Sequence, residues 1–394
     1  MPKRIASIDV LRGLTMLLMI FVNDFWTLEN IPKWLMHAKG DEDYLGFSDV
    51  IFPAFLFIVG LSIPFAIDNR LKKEHTISQV VSHIMQRTFA LLIMGVFMVN
   101  LENMYSAGVV IGRYWWQILM AGAFVLIWNN YQRTQLSKTF SNTLIITGII
   151  ILIVLALIYR GGSAEQVVWM RTYWWGILGL IGWAYLTSAL IYLIFRRTIL
   201  GLAIAWILFL LFNMADFAGW LDFAEGIQQY VWIVGSGAFA AFTMAGVVAS
   251  ALYKKASLGG IPNRFMSILL FLGILLLLYG FATRPFWGIS KIQATPSWIG
   301  FCTGISFIAY AVLYWLVDLK KQDKWTWVIG PAGKSTLTCY LVPYFYYAII
   351  TLLGLSLPMT VRTGAVGLTK SMLFAFLIVA ITGILYRSKI SLKI

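Results

Sequence analysis

Apolar runs long enough to cross a lipid bilayer recur along the whole chain, and no other feature restricts its fold as strongly. Hydrophobic residues make up 60% of the 394 residues and charged residues only 12%, whereas a soluble domain carries roughly 25% charged residues. A helix needs about 20 apolar residues to cross the bilayer, and the alternating pattern of a membrane barrel is absent from these runs. The sequence therefore predicts an all-α, polytopic integral membrane helical bundle.

Polar interruptions divide the apolar runs into about twelve predicted transmembrane helices, with about ten as the lower bound. In chain order the predicted spans cover residues 10–26, 47–67, 86–100, 114–130, 142–159, 174–195, 199–215, 230–252, 265–283, 297–317, 328–350 and 368–386. The span 86–100 is short, so we expect its helix to begin further upstream. We expect residues 1–394 to form a single membrane domain.

The basic residues predict how the bundle is oriented, because Lys and Arg of short loops stay on the cytoplasmic side. Of the 30 Lys and Arg residues, nineteen lie on the connections and ends of one side and eight on those of the other. Both termini are therefore expected in the cytoplasm. The formal charge of +14 follows from this topology and from contact with anionic lipids, so no nucleic-acid partner is expected.

Ionisable side chains at membrane depth are costly, so each one requires a partner or a function. Asp9 and Arg12 are three residues apart on the first predicted helix, where they form either a supporting ion pair or a surface that faces a bound cosubstrate. Asn23 and Asp24 close this span. Asp49 opens the next span, where the helix dipole favours a carboxylate. Taken alone, a role at a helix end is the simpler interpretation of these three residues.

His37 lies in the predicted outer loop between the spans that carry Asn23 and Asp49. An imidazole exchanges protons near neutral pH or attacks an acyl group as a nucleophile. Asp49 is suited to hold the tautomer of such an imidazole, and Asn23 to hydrogen-bond a developing oxyanion. The alternative is an ordinary loop histidine. No metal site is expected, since the other two histidines lie on the opposite face.

Further charges lie on the predicted outer face. Asp41, Glu42 and Asp43 are interpreted as solvated loop surface, with attraction of a cationic amine as the alternative. Lys291, in "SKIQATPSW", either snorkels to the membrane interface or binds an anionic substrate or a thioester carbonyl. Snorkelling is the default interpretation for a lone lysine there.

Several motifs resemble a known family. The stretches "SIDVLRGLTMLLMIFVN", "WLMHAKG" and "FSDVIFPAFLFIVGLSI" are similar to the start of the transmembrane N-acetyltransferases related to heparan-α-glucosaminide N-acetyltransferase. Weaker similarity continues in "RTFALLIMG", "SKIQATPSW", "LYWLVDL" and "LYRSKISLKI". The resemblance implies transfer of acetyl from cytosolic acetyl-CoA to the amino group of a sugar across the membrane. It places the catalytic histidine on His37 and the neighbouring site residues on Asn23 and Asp49.

The resemblance also suggests where the substrates bind. The phosphates of acetyl-CoA are expected to stay at the cytoplasmic face, where the candidate contacts are Arg12, Arg87, Lys334 and Ser335. Lys291 and Asp24 are the candidate contacts for the outer substrate, with Asp9 as structural support. His37 acts either as a general base in a ternary complex, which we favour, or as a covalent acetyl carrier.

Departures from the family pattern leave the acceptor open. The chain keeps Gln117 in "WWQILM" without the arginine usual in relatives, and it has Lys334-Ser335 where relatives tend to have Asn-Ser. Residues 174–215 resemble an extra helical hairpin that reshapes the acceptor pocket. We expect a multi-pass protein of a bacterial inner membrane, with a homodimer implied by the resemblance alone. The alternative from another class is a secondary transporter of a small polar solute.

Overall fold

A computed structural model describes residues 5–105, 108–224, 226, 233–258 and 262–394. The longer helices are α1 (Ala6–Asn23), α2 (Ser48–Lys72), α3 (Ile77–Glu102), α4 (Arg113–Trp128), α5 (Lys138–Leu157), α6 (Ile177–Phe195), α7 (Ile199–Phe217), α8 (Ala238–Leu258), α9 (Pro262–Trp287), α10 (Pro296–Leu313), α12 (Thr336–Leu352) and α13 (Gly364–Arg387). The short helix α11 (Gly330–Lys334) precedes α12, and π-helical turns continue α10 over Tyr314–Leu319. Strands β1 (Gly161–Gly162) and β2 (Val167–Val168) pair antiparallel.

Every predicted span overlaps one of these longer helices, which confirms the all-α class. Residues 230–232 of the predicted span 230–252 lie outside the described residues. Within the described ranges, nine helices are long and apolar enough to cross a membrane. Helix α3 begins at Ile77, upstream of position 86 as expected. The total of about twelve spans and the cytoplasmic termini stay predictions.

Backbone contacts divide the chain into two compact units. The first unit contains the described parts of Met1–Thr15, Pro32–Leu91 and Leu180–Trp327. The second unit contains Met16–Ile31 and the described parts of Leu92–Gly179 and Val328–Ile394. The expectation of a single membrane domain stays a prediction.

Glycines allow close helix contacts in the first unit. Gly60 of α2 and Gly246 of α8 face each other, and an added Cβ at either position would overlap a backbone carbonyl of the other helix. Gly280 of α9 and Gly300 of α10 are similarly close. Small residues let helix backbones approach in this way when the surrounding solvent is lipid.

Hydrogen bonds at helix starts fix several helix ends in the first unit. The Asp318 carboxylate accepts hydrogen bonds from the backbone N–H groups of Ala6 and Ser7, at 3.1 Å each, and so satisfies free donors at the start of α1. The Thr295 side chain accepts from the backbone N–H of Trp298 at the start of α10, and Pro296 follows it at the first helical position. Threonine as cap followed by proline is a typical helix start.

The C-terminal tail packs against the ends of helices in the second unit. Leu392 forms an antiparallel bridge with Asn129, just after α4. The side chains of Ser391 and Ser335 lie 2.7 Å apart, oxygen to oxygen. The tail therefore contacts the chain at the end of α4 and at the residue that precedes α12.

Candidate functional site

The loop before α2 is folded against the start of that helix. The Ser48 hydroxyl donates to the carbonyl of Leu35 at 2.5 Å, and the Phe47 N–H donates to the carbonyl of Trp34 at 2.7 Å. A side chain at Gly46 would overlap the carbonyl of Met36. These contacts bring residue 37 back beside the first turn of α2.

The Asp49 carboxylate organises this turn. Its Oδ2 accepts hydrogen bonds from the backbone N–H groups of Ala38 at 3.0 Å and Gly46 at 3.1 Å. Its Oδ1 lies 2.7 Å from Nδ1 of His37. A buried charge is tolerated when its oxygens are satisfied in this way. This geometry places the His37 imidazole against the Asp49 carboxylate, and the catalytic roles of both residues stay predictions.

The main chain of Asp49 is held as firmly as its side chain. Its carbonyl accepts a hydrogen bond from Trp298 Nε1 at 3.2 Å and a weaker one from Cys302 Sγ at 3.7 Å. Trp298 and Cys302 are both completely buried. The carboxylate thus has a fixed position from which it orients the imidazole.

The two partners differ sharply in exposure. The His37 side chain is 45% exposed, whereas that of Asp49 is 1% exposed. A carboxylate beside Nδ1 favours the tautomer that carries its proton on Nδ1 and donates it to the carboxylate. Nε2 is then left unprotonated and able to accept a proton or attack an acyl carbon.

Lys291 joins this pair from the loop between α9 and α10. Its Nζ lies 3.2 Å from Nδ1 of His37 and 3.9 Å from Oδ1 of Asp49. Burial disfavours the charged form and lowers the pKa of Lys291, although the Asp49 charge opposes this shift. The default interpretation of Lys291 as a lone snorkelling lysine is therefore wrong, because the side chain points into the cluster.

The loop that carries Lys291 is tied to the loop that carries His37. Asp43 Oδ1 accepts a hydrogen bond from the Ile289 N–H at 2.7 Å, and Arg284 Nε donates to Asp43 Oδ2 at 3.1 Å. The Gln293 side chain donates to the Gly40 carbonyl at 3.0 Å. Asp43 is thus a structural link that the sequence interpretation as solvated surface missed.

Glu42 is also paired rather than simply solvated. Its carboxylate accepts a hydrogen bond from Lys33 Nζ at 3.1 Å and from the Lys39 N–H at 3.3 Å. These bonds, with that of Lys33 the stronger, lower the pKa of Glu42. The acidic run therefore stiffens its own loop.

Asn23 and Asp24 belong to the second unit. Asn23 is exposed at the end of α1 and lines a cavity within that unit. Asp24 is buried, and its carboxylate accepts hydrogen bonds from Tyr347, Lys370 and Ser371 at 2.5–2.6 Å. The oxyanion role of Asn23 and the substrate contact of Asp24 stay predictions.

The four candidate contacts to acetyl-CoA are divided between the two units and differ in their neighbours. In the first unit, Arg12 binds Asp9 at 3.3 Å and the Ser62 hydroxyl at 2.6 Å, and the Arg87 guanidinium lies over the Tyr185 ring at 4.6 Å.

In the second unit, Lys334 is exposed, whereas Ser335 is buried. The Ser335 hydroxyl contacts that of Ser391. In the first unit, the supporting role of Asp9 beside Arg12 stays a prediction. The cosubstrate roles of all four candidates stay predictions.

The apolar helices define a multi-pass membrane protein, and its first unit carries an exposed histidine bound to a buried aspartate. Residues 4–160 match a family model described as heparan-alpha-glucosaminide N-acetyltransferase, catalytic. The chain is 31% identical over 104 residues to heparan-alpha-glucosaminide N-acetyltransferase of Homo sapiens, and 31% identical over 102 residues to that of Mus musculus.

Each of these two matches covers 25% of this chain and only 14% of the relative. The resemblance to this N-acetyltransferase family is thereby confirmed for residues 4–160. That region contains Asn23, His37 and Asp49, whereas Lys291 lies beyond it.

Proposed function

We propose that the chain is a transmembrane acyltransferase. It moves an acetyl group from cytosolic acetyl-CoA to the amine of a glucosamine-like sugar, or of a related glycan, at the periplasmic face of a bacterial inner membrane. The observation that carries the proposal is the exposed His37 imidazole, 2.7 Å from the buried Asp49 carboxylate. The family resemblance over residues 4–160 supports the same chemistry.

His37 has two routes to acetyl transfer. As a general base, Nε2 accepts a proton from the acceptor amine while the amine nitrogen attacks the thioester carbonyl carbon. The C–N bond forms, the C–S bond breaks, and the histidine passes its proton to the departing thiolate. As an acetyl carrier, Nε2 itself attacks the thioester and the thiolate departs. The amine then attacks the acetyl carbon, the C–Nε2 bond breaks, and the proton that the amine loses passes to the freed Nε2.

Asp49 serves both routes from the same position. It holds the Nδ1 proton and stabilises the positive charge that the ring gains, as carboxylates do in histidine-dependent acyl transfer. We favour the general-base route within a ternary complex. A stable acetyl-histidine formed from acetyl-CoA alone would establish the carrier route instead.

Lys291 is positioned to stabilise negative charge. Its Nζ lies near the same imidazole, so a thioester carbonyl presented to His37 is within reach of the ammonium. Positive charge placed where an oxyanion develops lowers the barrier to acyl transfer. At the other end of the cosubstrate, Arg12 and Arg87 are suited to bind phosphates, because guanidinium groups bind them bidentately.

The test is acetyl transfer by the purified protein in proteoliposomes. Labelled acetyl-CoA is supplied with a panel of amino sugars and glycans, and the labelled product is identified. We expect His37→Ala to abolish product formation and the matched variant His75→Ala to leave it intact. Activity of His37→Ala equal to that of the unchanged protein would refute the assignment. Counterflow of an unmodified solute, without any acetylated product, would establish a transporter instead.

A further inference from the structure

A buried asparagine near the end of α7 contacts the loop that carries Lys291. Asn213 is completely buried, and a polar side chain in such a position is costly unless it is hydrogen-bonded. Its Nδ2 donates to the carbonyl of Ala294 at 3.1 Å and to the carbonyl of Ser236 at 3.0 Å. Asn213 therefore links α7 both to the segment before α8 and to residues 288–295, which we call the Lys291 loop.

Both contacts require the NH₂ group of the amide. Carbonyl oxygens accept hydrogen bonds and do not donate them, so the side-chain nitrogen of Asn213 must face Ala294 and Ser236. Among the described residues, Asn213 Oδ1 has no hydrogen-bond partner. The amide thus contributes through its two donated bonds, which a leucine of similar size would lack.

The Lys291 loop has a conformation that requires such support. Ala294 has a φ of 61°, in the left-handed region that is unfavourable for a residue with a side chain. The loop closes on itself around this residue, since the Ala294 N–H donates to the Lys291 carbonyl at 3.2 Å. The Ser290 N–H donates to Thr295 Oγ1 at 3.0 Å. A strained residue persists when its surroundings hold it, and the bond from Asn213 supplies such a restraint.

This restraint affects the position of the Lys291 ammonium. Its Nζ lies 3.2 Å from Nδ1 of His37. A lysine side chain is long and flexible, so its ammonium stays beside the imidazole only if the backbone that carries it is fixed. Asp43 and Gly40 bind the Lys291 loop from the loop of His37. Asn213 holds the same loop from α7.

We propose that Asn213 is a positioning residue that keeps the Lys291 ammonium beside His37. It acts through the Ala294 carbonyl rather than by touching a substrate. Its importance for acetyl transfer rests on the proposed function, whereas its effect on the position of Lys291 does not. Because Asn213 lies within residues 174–215, the inference gives this part of the chain a role at the site.

The experiment measures the titration of Lys291 in the full-length protein, held in lipid nanodiscs. Trinitrobenzenesulfonate modifies unprotonated amines, and mass spectrometry quantifies the label on Lys291 as the pH is varied. The titratable groups near this lysine, which are His37, Asp49 and Cys302, are the same in every variant. In Asn213→Leu the released loop exposes the ammonium to water, so we expect the midpoint of labelling to rise toward the ordinary lysine pKa of about 10.4.

Two further variants separate positioning from stability. Asn213→Ala removes the same donors with a smaller side chain and is expected to give the same rise. The matched control is Asn100→Leu in α3, in the second unit. Asn100 is also completely buried, and its Nδ2 donates to the carbonyls of Val96 and Arg171 at 2.8 Å each. This control loses comparable bonds, so it should lower the unfolding temperature but leave the labelling of Lys291 unchanged.

Two labelling results would overturn the inference: an unchanged midpoint in the folded Asn213 variants, or an equal rise in Asn100→Leu. In proteoliposomes, Asn213→Leu is expected to lower the rate of acetyl transfer about tenfold. A normal rate together with a raised midpoint would refute the importance of this position for the reaction. If the unchanged protein forms no acetylated product, the proposed function fails, whereas a raised midpoint still establishes that Asn213 positions Lys291.

Discussion

Replacing Asp49 by asparagine removes the negative charge that orients His37 but keeps the hydrogen bonds that hold the loop. The asparagine oxygen can still accept from the Ala38 and Gly46 N–H groups, which lie 3.0 and 3.1 Å from the carboxylate. Its NH₂ group then faces Nδ1 of His37. The imidazole responds by accepting at Nδ1 and carrying its proton on Nε2, so that Nε2 no longer acts as a base.

The size of the effect follows from the charge that is lost. Two unit charges about 4 Å apart interact by about 4 kcal/mol at an effective dielectric constant of 20. Because the His37 side chain is 45% exposed, solvent screening reduces this contribution to the imidazolium to about 2–3 kcal/mol. At 1.36 kcal/mol per tenfold change, the rate of acetyl transfer falls by about 30- to 150-fold.

The assay compares initial rates of acetyl transfer in proteoliposomes for Asp49→Asn, the unchanged protein and Asp41→Asn. Asp41 is exposed in the same loop, so its variant controls for a change of charge alone. Thermal unfolding is measured in parallel, and we expect Asp49→Asn to stay folded at the assay temperature. A rate within about threefold of the unchanged protein would refute the orienting role.

Three further predictions concern the same unit. Burial lowers the pKa of Lys291, so the alkaline loss of activity should begin below the ordinary pKa of lysine and move to higher pH in Lys291→Arg. An alkaline side of the pH–rate profile that does not move in this variant would exclude a role of the Lys291 ammonium in the reaction. Gly60→Ala should destabilise the protein by about 1–3 kcal/mol, because the added Cβ overlaps the Thr243 carbonyl. Asp43→Ala should lower the transfer rate about tenfold by releasing the loop at Ile289.

Each of these predictions has a control. For Lys291, the direction of the pKa shift is also tested by stability. The Lys291 ammonium loses its proton at lower pH in the folded state than in the unfolded chain, so the free energy of unfolding rises with pH between the two pKa values. Lys291→Met should flatten that rise. For Gly60, the control is Gly122→Ala, where an added Cβ meets nothing within 4 Å. For Asp43, a normal rate in the alanine variant, measured beside Asp41→Asn, would contradict the linking role.

Local sequence patterns were sufficient to predict the positions of the helices and the pairing of His37 with Asp49. Runs of apolar residues fix the positions of transmembrane helices because, apart from a closed barrel, only a helix satisfies all its backbone hydrogen bonds in lipid. His37 and Asp49 are separated by only 12 residues of one loop and helix start. The short segment between them restricts how far apart the two side chains can lie, so their proximity could be expected from the sequence.

Contacts between distant segments were not predictable in this way. Lys291 is 254 residues from His37, and Asp43 is 246 residues from Ile289. No periodicity or spacing in a single sequence encodes such pairings, since they depend on how α9 and α10 pack. The residues that line the cavity beside Asn23 in the second unit are equally far apart in the sequence, although the spacing of Tyr340, Tyr344 and Tyr347 along one face of α12 was an available signal.

A single-turnover reaction tests the central claim most directly. Purified protein in proteoliposomes is mixed with labelled acetyl-CoA and glucosamine, and the labelled sugar is quantified for the unchanged protein and for His37→Ala. We predict acetylated product within one turnover for the former and none above background for the latter, with both proteins unfolding at similar temperatures. Equal product from the folded His37→Ala protein would contradict the claim that this imidazole performs the transfer.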